Sequence, residues 1–244
     1  MSISKSQLKL ITSLSQKKYR QKYNLFVAEG IKVVNELLNS SFDVEMIFCT
    51  NDFETRISKD KITRISETEL KKISTLKSPN KVLSLFRIPE EKTLQNSGLI
   101  IALDAINDPG NLGAIIRLCD WFGVTQLVCS KDTVDCYNQK VVQASMGSLT
   151  RISIHYTDLE NYVTASNLST FIADMKGTNV YKTDLPKEGI LIMGNEANGV
   201  SEVIKKQIQN KIAIPRFGKT QKTESLNVAT ATAILLSEFK RGTY

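Results

Sequence analysis

The sequence contains a single histidine, His155, and its four cysteines show no paired short spacing. One histidine almost excludes His-based catalytic triads, His–Cys zinc sites and two-histidine metal sites, so we expect no metal. Cys49, Cys119, Cys129 and Cys136 are expected to remain thiols in a reducing compartment, because three of them stand in apolar surroundings. His155 lies in an alternating, strand-like run and is expected to be structural.

Long apolar runs and common nucleotide-binding motifs are also missing. No run approaches the ~18 apolar residues that a membrane helix needs, and the first residues lack the apolar region of a signal peptide. We therefore expect a cytoplasmic protein without a membrane partner. No G-x-G-x-x-G follows the first strand of the carboxy-terminal sheet, and no Walker A motif occurs. A dinucleotide fold of the usual kind is therefore not expected.

The sequence does have an excess of positive charge at its amino terminus. The 244 residues carry a formal net charge of +7, and lysines and arginine in residues 1–28 are balanced by no acid before Glu29. A basic segment that also contains tyrosine favours an anionic polymer as partner. A solvated helix face that happens to be basic explains this stretch equally well.

Hydrophobic periodicity predicts two α/β parts. Residues 1–40 read as helical, and the first part is completed by strands at 46–50, 62–65 and 82–88 and a helix at 67–76. The later predicted strands are 99–103, 126–129, 152–154, 170–173, 190–193 and 212–214, with helices between them and a long helix at about 226–241. This alternation predicts a mostly parallel sheet covered on both faces. We set the domain boundaries at 1–90 and 99–244, with a polar linker at 91–98.

The segment Asp104–Arg117 (DAINDPGNLGAIIR) joins a buried strand to a helix through a dense cluster of turn-forming residues. Arg117 stands within the apolar part of that helix, where a buried guanidinium needs an anionic partner. Ligands of open α/β sheets collect where strands end and helices begin. The segment therefore predicts a site for a phosphate or a carboxylate.

A second segment places polar residues directly after the strand at 190–193. Here the chain runs into Gly194, Asn195 and Glu196, and the glycine would allow another group to approach the backbone closely. Glu196 is a candidate partner for Arg117. An ordinary turn with a capping acid is the alternative.

A third segment follows the strand that ends at Pro215. A basic loop leads to Ser225, Leu226 and Asn227, which open a helix rich in alanine and threonine. Such small residues suit close packing against another helix. A simple capped amphipathic helix would have the same pattern.

In their order and spacing, these three segments resemble the SpoU (TrmH) family of RNA ribose 2′-O-methyltransferases, within the SPOUT class, over about residues 99–241. Residues 141–151 resemble the Ala-Ser-x-Gly segment of that family, and residues 1–88 resemble the RNA substrate-binding domain that many members carry. The resemblance implies a mostly parallel α/β SPOUT sheet with a carboxy-terminal trefoil knot, preceded by the small α/β RNA-binding domain. It also implies S-adenosyl-L-methionine as cofactor and a homodimer with the site near the subunit interface.

The resemblance also implies roles for the residues at the matching positions. Catalytic roles are implied for Asn111, Arg117, Glu196, Ser225 and Asn227. Cofactor contacts are implied for Gly194, Asn195, Ile214, Leu226 and Met175, the last within a loop that follows Ala173. RNA contacts are expected at Lys17, Lys18, Arg20, Lys219 and Lys222. The last two stand with Gln221 in an extended loop, 218–225, for which a neutral surface insertion is the alternative.

These expectations amount to methylation of a ribose 2′-hydroxyl in structured RNA. Ribosomal RNA is favoured over transfer RNA because of the extra amino-terminal domain. Arg117 is expected to be essential, either as the base or as a clamp on the adjacent phosphate, and a guanidinium gives up its proton reluctantly. The alternatives are a transfer RNA ribose methyltransferase and a non-catalytic RNA-binding assembly factor. A small-molecule nucleotide enzyme would leave the basic amino-terminal domain without a role.

Overall fold

The computed structural model describes residues 3–220, 222 and 224–241, and it divides into two compact units. The first unit is Met1–Glu90 together with Asp135–Thr150, and the second is Glu91–Val134 together with Arg151–Tyr244. Residues 135–150 were predicted to belong to the carboxy-terminal domain, whereas they pack as part of the first unit.

The helices and strands have the following order along the chain. Up to residue 90 they are α1 (Lys5–Ser13), α2 (Lys17–Tyr23), β1 (Leu25–Glu29), α3 (Ile31–Leu38), β2 (Val44–Cys49), β3 (Ile62–Arg64), α4 (Glu67–Ile73) and β4 (Val82–Arg87). The remaining elements are β5 (Leu99–Asp104), α5 (Pro109–Trp121), β6 (Gln126–Ser130), α6 (Gln139–Ser145), β7 (Ser153–Thr157), α7 (Leu159–Ala165), β8 (Thr170–Asn179), β9 (Gly189–Gly194), α8 (Glu202–Gln207), β10 (Lys211–Ala213) and α9 (Val228–Lys240).

The first unit is built on a four-stranded sheet in the order β1-β4-β2-β3. Strand β1 corrects the expectation that residues 1–40 are helical, because all five of its residues are buried in the sheet. Asn24, at φ +53°, ends α2 in the left-handed region, and Gly30, at φ +81°, stands just before α3. A short apolar run such as LFVAE fits a helix or a strand equally well by periodicity, and these two backbone breaks decide for the strand.

Two buried polar contacts attach residues 135–150 to the first unit. The side chain of Arg20 pairs with Asp135. The carboxylate of Glu29, at the end of β1, accepts hydrogen bonds from Gln139 of α6, from the hydroxyl of Ser74 and from the backbone N–H of Thr75. Buried charges need such partners, so these contacts explain why the segment packs with β1.

The second unit contains the six-stranded sheet that the alternation predicts, in the order β10-β8-β9-β5-β6-β7. Every neighbouring pair is parallel. Helices α7 and α8 pack on one face, against residues that include Ile172 of β8. The neighbouring Phe171 points to the other face, where its ring lies 5.6 Å from that of Phe239 in α9. Helix α9 also packs against α5.

The buried cysteines and histidine agree with their predicted environments. The four cysteines are buried thiols, and burial raises the pKa of Cys119 to about 12. His155 is buried in β7, with its Nδ1 atom 3.4 Å from Oε1 of Glu91. Among the described residues, no helix combines the length and the apolar character that crossing a bilayer requires.

Candidate active site

The candidate site lies in the second unit, at the edge of the sheet where the parallel strands end. Strands β5 and β9 are neighbours, paired in register up to Asp104 and Gly194. The residues that follow them therefore leave the sheet side by side. The same edge of open parallel sheets commonly binds ligands.

Asn111 is the centre of a hydrogen-bonded cluster at this edge. Its Nδ2 donates to Oε1 of Glu196, and its Oδ1 accepts from Nδ2 of Asn227 at 2.8 Å. Because a carboxylate only accepts hydrogen bonds, the contact with Glu196 fixes which way the Asn111 amide points. The partners are 85 and 116 residues away from Asn111 in sequence. The structure thus brings together three of the five predicted catalytic residues.

The starts of two helices position the amides of this cluster. Asp108 caps α5, with its side chain accepting from the backbone N–H of Asn111 at 2.8 Å. Asn227 caps α9, with Oδ1 accepting from the N–H groups of Ala229 and Thr230 at 3.0 and 3.2 Å. Because Asn111 lies in the first turn of α5 and contacts Glu196, the Glu196 carboxylate also lies beside that turn, where the helix dipole favours a negative charge.

Glu196 is held by a tight turn between β9 and α8. The backbones of Asn195 and Gly199 exchange hydrogen bonds of 3.0 and 2.8 Å. A Cβ atom on Gly194 would lie 2.2 Å from the backbone of Gly199 and Val200, so only glycine permits this approach. Because the turn begins directly after β9, the end of this strand determines the position of the Glu196 carboxylate.

The side chain of Asn195 is engaged within the protein. Its Oδ1 accepts from the N–H groups of Ala197 and Asn198, and its Nδ2 donates to the carbonyl of Ala105 at 2.8 Å. Asn195 was expected to contact the cofactor, and these bonds show that its side chain also holds the turn that carries Glu196.

Two residues that the sequence analysis assigned no role hold the end of β5. Asp104 is buried and accepts from the backbone N–H of Ser201 at 2.7 Å, which ties β5 to the start of α8. The hydroxyl of Ser130 accepts from the N–H of Ala105 at 2.9 Å. Ala105 has φ +56°, an unfavourable value for a residue with a Cβ, and persists where neighbours over-determine it. In the sequence, the only indication of this role for Ser130 is that its small hydroxyl side chain stands at the end of a predicted buried strand.

Arg117 differs from its expected environment. Its side chain is exposed, and the expectation of a buried guanidinium is wrong because the buried positions of α5 (Leu112, Ile115, Ile116 and Cys119) lie on other sides of the helix. Glu196 contacts Asn111 instead of Arg117. Arg117 and the exposed Ser225 make no side-chain hydrogen bond or ion pair with any residue that the structure describes. Both are therefore accessible from solvent.

The predicted cofactor contacts lie within β8, at the ends of β9 and β10, and just before α9. Between β8 and β10 the pairing jumps from Ile172–Lys211 to Thr178–Ile212, so the predicted loop after Ala173 is an outward bulge within β8. Met175 in this bulge is exposed, and its sulfur lies 3.3 Å from Nη2 of Arg216. Leu226 is also exposed, and Gly194 and Ile214 are half-buried. Solvent-facing apolar side chains beside strand-end backbone suit a nucleoside-type ligand.

The predicted RNA contacts divide into exposed and buried residues. Lys17, Lys18, Lys219 and Lys222 are exposed, and Gln221 lies outside the described residues. Arg20 is a correction, because its side chain is only 3% exposed and is hydrogen-bonded within the first unit. Its Nε and Nη2 donate to Asp135 at 2.8 and 2.5 Å, and its Nη1 donates to the carbonyls of Leu14 and Ser15 at 2.8 and 3.0 Å. Its guanidinium is therefore unavailable to a phosphate.

Comparison with known proteins agrees with this architecture. The sequence model of the SpoU rRNA Methylase family matches residues 98–237, and that of the MRM3-like substrate binding domain matches residues 5–84. The chain is 32% identical over 232 residues to the 23S rRNA (guanosine(2553)-2′-O)-methyltransferase RlmP of Bacillus subtilis (strain 168), covering 91% of each protein.

Solved structures share the whole fold. A putative RNA methyltransferase of the TrmH family from Porphyromonas gingivalis is 33% identical, with a TM-score of 0.88 over 99% of both chains. An AdoMet-bound rRNA methyltransferase from Sinorhizobium meliloti is 26% identical, with a TM-score of 0.85 over 100% of this chain and 97% of that one.

The parallel sheet, the match to the family model and the similar solved structures together place the chain among the methyltransferases of the SPOUT class. More narrowly, the chain belongs to the SpoU rRNA methylase family, and its first unit contains the substrate-binding domain that the sequence resembled. The resemblance inferred from the three segments is therefore confirmed.

Proposed function

We propose that this protein methylates a ribose 2′-hydroxyl of ribosomal RNA, using S-adenosylmethionine. The hydrogen-bonded cluster of Asn111, Glu196 and Asn227 carries this proposal, since it gathers the polar residues of all three motifs at one accessible edge. The Bacillus subtilis relative, named for 2′-O-methylation of a guanosine in 23S rRNA, supports ribosomal over transfer RNA. A soluble, cytoplasmic enzyme would fit this substrate.

Gly194, Ile214, Leu226 and Met175 would hold the cofactor. S-adenosylmethionine supplies a methyl group on a cationic sulfur, which is already activated for transfer. The protein must therefore place the ribose 2′-oxygen in line with the bond between the methyl carbon and the sulfur, at roughly 3–3.5 Å from the methyl carbon. Few protein groups are needed for such a reaction, and the small polar cluster is consistent with that.

The polar side chains have distinct roles in this scheme. Asn111 and Asn227 are locked by their helix starts, so their remaining N–H groups can orient the ribose without rearrangement. Glu196 keeps Asn111 in its orientation and holds a negative charge beside the site. Ser225, exposed next to Leu226, positions the ribose and the cofactor.

Arg117 acts in this proposal as the phosphate clamp. Its exposed guanidinium offers a fork of donors that matches a phosphate next to the reacting ribose. Because a guanidinium stays protonated, removing the proton of the 2′-hydroxyl is better assigned to another acceptor. The clamp role agrees with a side chain that reaches solvent.

Methyl transfer from labelled S-adenosylmethionine tests the function directly. Ribosomal RNA from cells lacking this protein should accept label, and transfer RNA from the same cells should not. Arg117→Ala should abolish incorporation, and Glu196→Gln should reduce it strongly. Arg241→Ala is the matched arginine control, because Arg241 is exposed and lies at the end of α9 opposite to Asn227. Incorporation into transfer RNA alone would favour that substrate, and binding without any incorporation would favour an assembly factor.

We also propose that the protein is a homodimer and that its second unit contains the trefoil knot. Trp121, at the end of α5, is 84% exposed, and large exposed apolar side chains commonly mark an interaction surface. Helix α5 carries both Asn111 and Arg117, so a dimer through this helix would lie near the site. Light scattering in solution would measure the oligomeric state, and a single-subunit mass would overturn the dimer.

A further inference from the structure

Two stacked tyrosines and two lysines form an exposed surface on α2. The rings of Tyr19 and Tyr23, one helical turn apart, are nearly parallel at 13°, with centroids 6.3 Å apart. The Nζ of Lys18 lies 4.9 Å from the centroid of Tyr19, and the Nζ of Lys22 lies 5.4 Å from that of Tyr23. We call these four residues the α2 platform.

The platform is not part of the hydrophobic core. Tyr23 is 41% exposed, and the buried side chain of α2 is that of Arg20. Aromatic residues on a helix usually pack inward, so a stacked tyrosine pair that faces solvent calls for a function. The two nearly parallel rings contact each other, so they are held together instead of moving as independent side chains.

The charge around the platform favours an anionic partner. Lys18 and Lys22 are exposed along α2. The first acid in the sequence, Glu29, is buried and hydrogen-bonded, and Asp135 is occupied by Arg20. Neither of these two carboxylates therefore neutralises Lys18 or Lys22.

We propose that the α2 platform binds an unpaired nucleotide of the RNA substrate, with the base stacked on Tyr23 and the flanking phosphates near Lys18 and Lys22. This inference rests on the proposed function, since it assumes an RNA substrate. Base–aromatic stacking combined with nearby cations is the usual way in which proteins hold single strands. A base within a duplex is already stacked on both sides, so the platform selects a loop, a bulge or a strand end.

Tyr23 is the residue that meets the base. The Nζ of a neighbouring lysine lies over each of the two rings, but Tyr19 is half-buried whereas Tyr23 is exposed. Tyr19 therefore supports the platform, while the more exposed ring of Tyr23 is the surface available for stacking. Because every base can stack on an aromatic ring, we expect the platform to bind unpaired nucleotides with little preference for their sequence.

The test measures binding of a fluorescein-labelled single-stranded RNA and of a fully paired, blunt-ended RNA duplex by fluorescence anisotropy. Tyr23→Leu should weaken binding of the single strand by ~10-fold and leave binding of the duplex unchanged. Tyr23→Phe, which keeps the ring, should bind like the wild type. Lys22→Met should lower the salt dependence of binding by ~0.7 in the slope of log K against log salt, the value for one phosphate contact on a single strand.

Controls separate this inference from the proposed function. Tyr181→Leu removes a tyrosine of nearly equal exposure, 40%, from the second unit, and should not change binding. Equal single-strand affinity of Tyr23→Leu and the wild type would overturn the platform, even if the wild type methylates ribosomal RNA. Absence of methyl transfer together with a lost affinity in Tyr23→Leu would instead overturn the function and keep the platform.

Discussion

Arg20 offers a direct test of whether a basic residue in the amino-terminal segment binds RNA or stabilises the fold. The substitution Arg20→Met removes a guanidinium that donates to Asp135 and to the carbonyls of Leu14 and Ser15. The carboxylate of Asp135, 14% exposed, would then lose its ion-pair partner. Breaking one side of a buried ion pair costs about 3–5 kcal/mol, a large part of the ~5–15 kcal/mol that stabilises a typical domain.

Urea unfolding followed by circular dichroism measures this loss, and hydrogen exchange localises it to α2 and to residues 135–150. Arg87→Met is the matched control, because the ion pair of Arg87 with Glu45 lies in the same unit but is exposed. Such surface pairs contribute ~0–1 kcal/mol. The double variant Arg20→Met with Asp135→Leu should recover much of the loss, since apolar side chains can replace a buried pair.

RNA binding under conditions where every variant is folded completes the test. Arg20→Met should keep the salt dependence of the wild type, whereas Lys18→Met should lose the contribution of one phosphate contact. If Arg20→Met unfolds like Arg87→Met and also shows a reduced salt dependence, Arg20 is a phosphate contact and the structural assignment is wrong.

Two further predictions concern the turn that carries Glu196 and the response of the first unit to acid. Gly194→Ala should lower the methyl-transfer rate ~100-fold, because the new Cβ would displace the turn and a small misplacement of catalytic groups costs about that much. Gly218→Ala is the control, since its Cβ would meet nothing within 4 Å, and it should transfer methyl groups at the wild-type rate. Equal initial rates for Gly194→Ala and the wild type would contradict this prediction. A hydrogen bond from Lys81 lowers the pKa of Asp52 from 3.8 to about 2. The ionised Asp52 carboxylate therefore contributes to the free energy of unfolding above pH 3.8, and this contribution is lost as the pH falls through 2. Carboxyl NMR titration of Lys81→Met should show the pKa moving back towards 3.8, and an unchanged value would refute the assigned cause.

Much of the second unit could be predicted because its information is local. An apolar run such as Leu99–Leu103 can be assigned to a buried strand because turn-forming residues mark where it stops. Strands that alternate with helices leave few alternatives to a parallel sheet. Asn111 and Asn227 could be selected because the resemblance of the three motif segments to a known family implied roles for them.

The partners of those residues could not be predicted in the same way. A sequence pattern indicates the period of an element but not the neighbour that each face meets. Arg117 stands among apolar residues in the sequence, yet the helical period turns it to solvent, and Glu196 contacts Asn111. Residues 135–150 were assigned to the nearer part of the chain, because the contacts of Asp135 and Gln139 with the first unit span more than a hundred residues.

The sequence by itself determined the class of fold, the three motif segments and the family, since these depend on local periodicity and on residues in a fixed order. Only the tertiary structure decided that Asn111 joins Glu196 to Asn227, that Arg20 is buried while Lys18 and Tyr23 face solvent, and that Asn195 holds a turn. The reason is physical. Hydrogen bonds and burial depend on which distant segments the fold brings together, and that information is distributed over the whole chain.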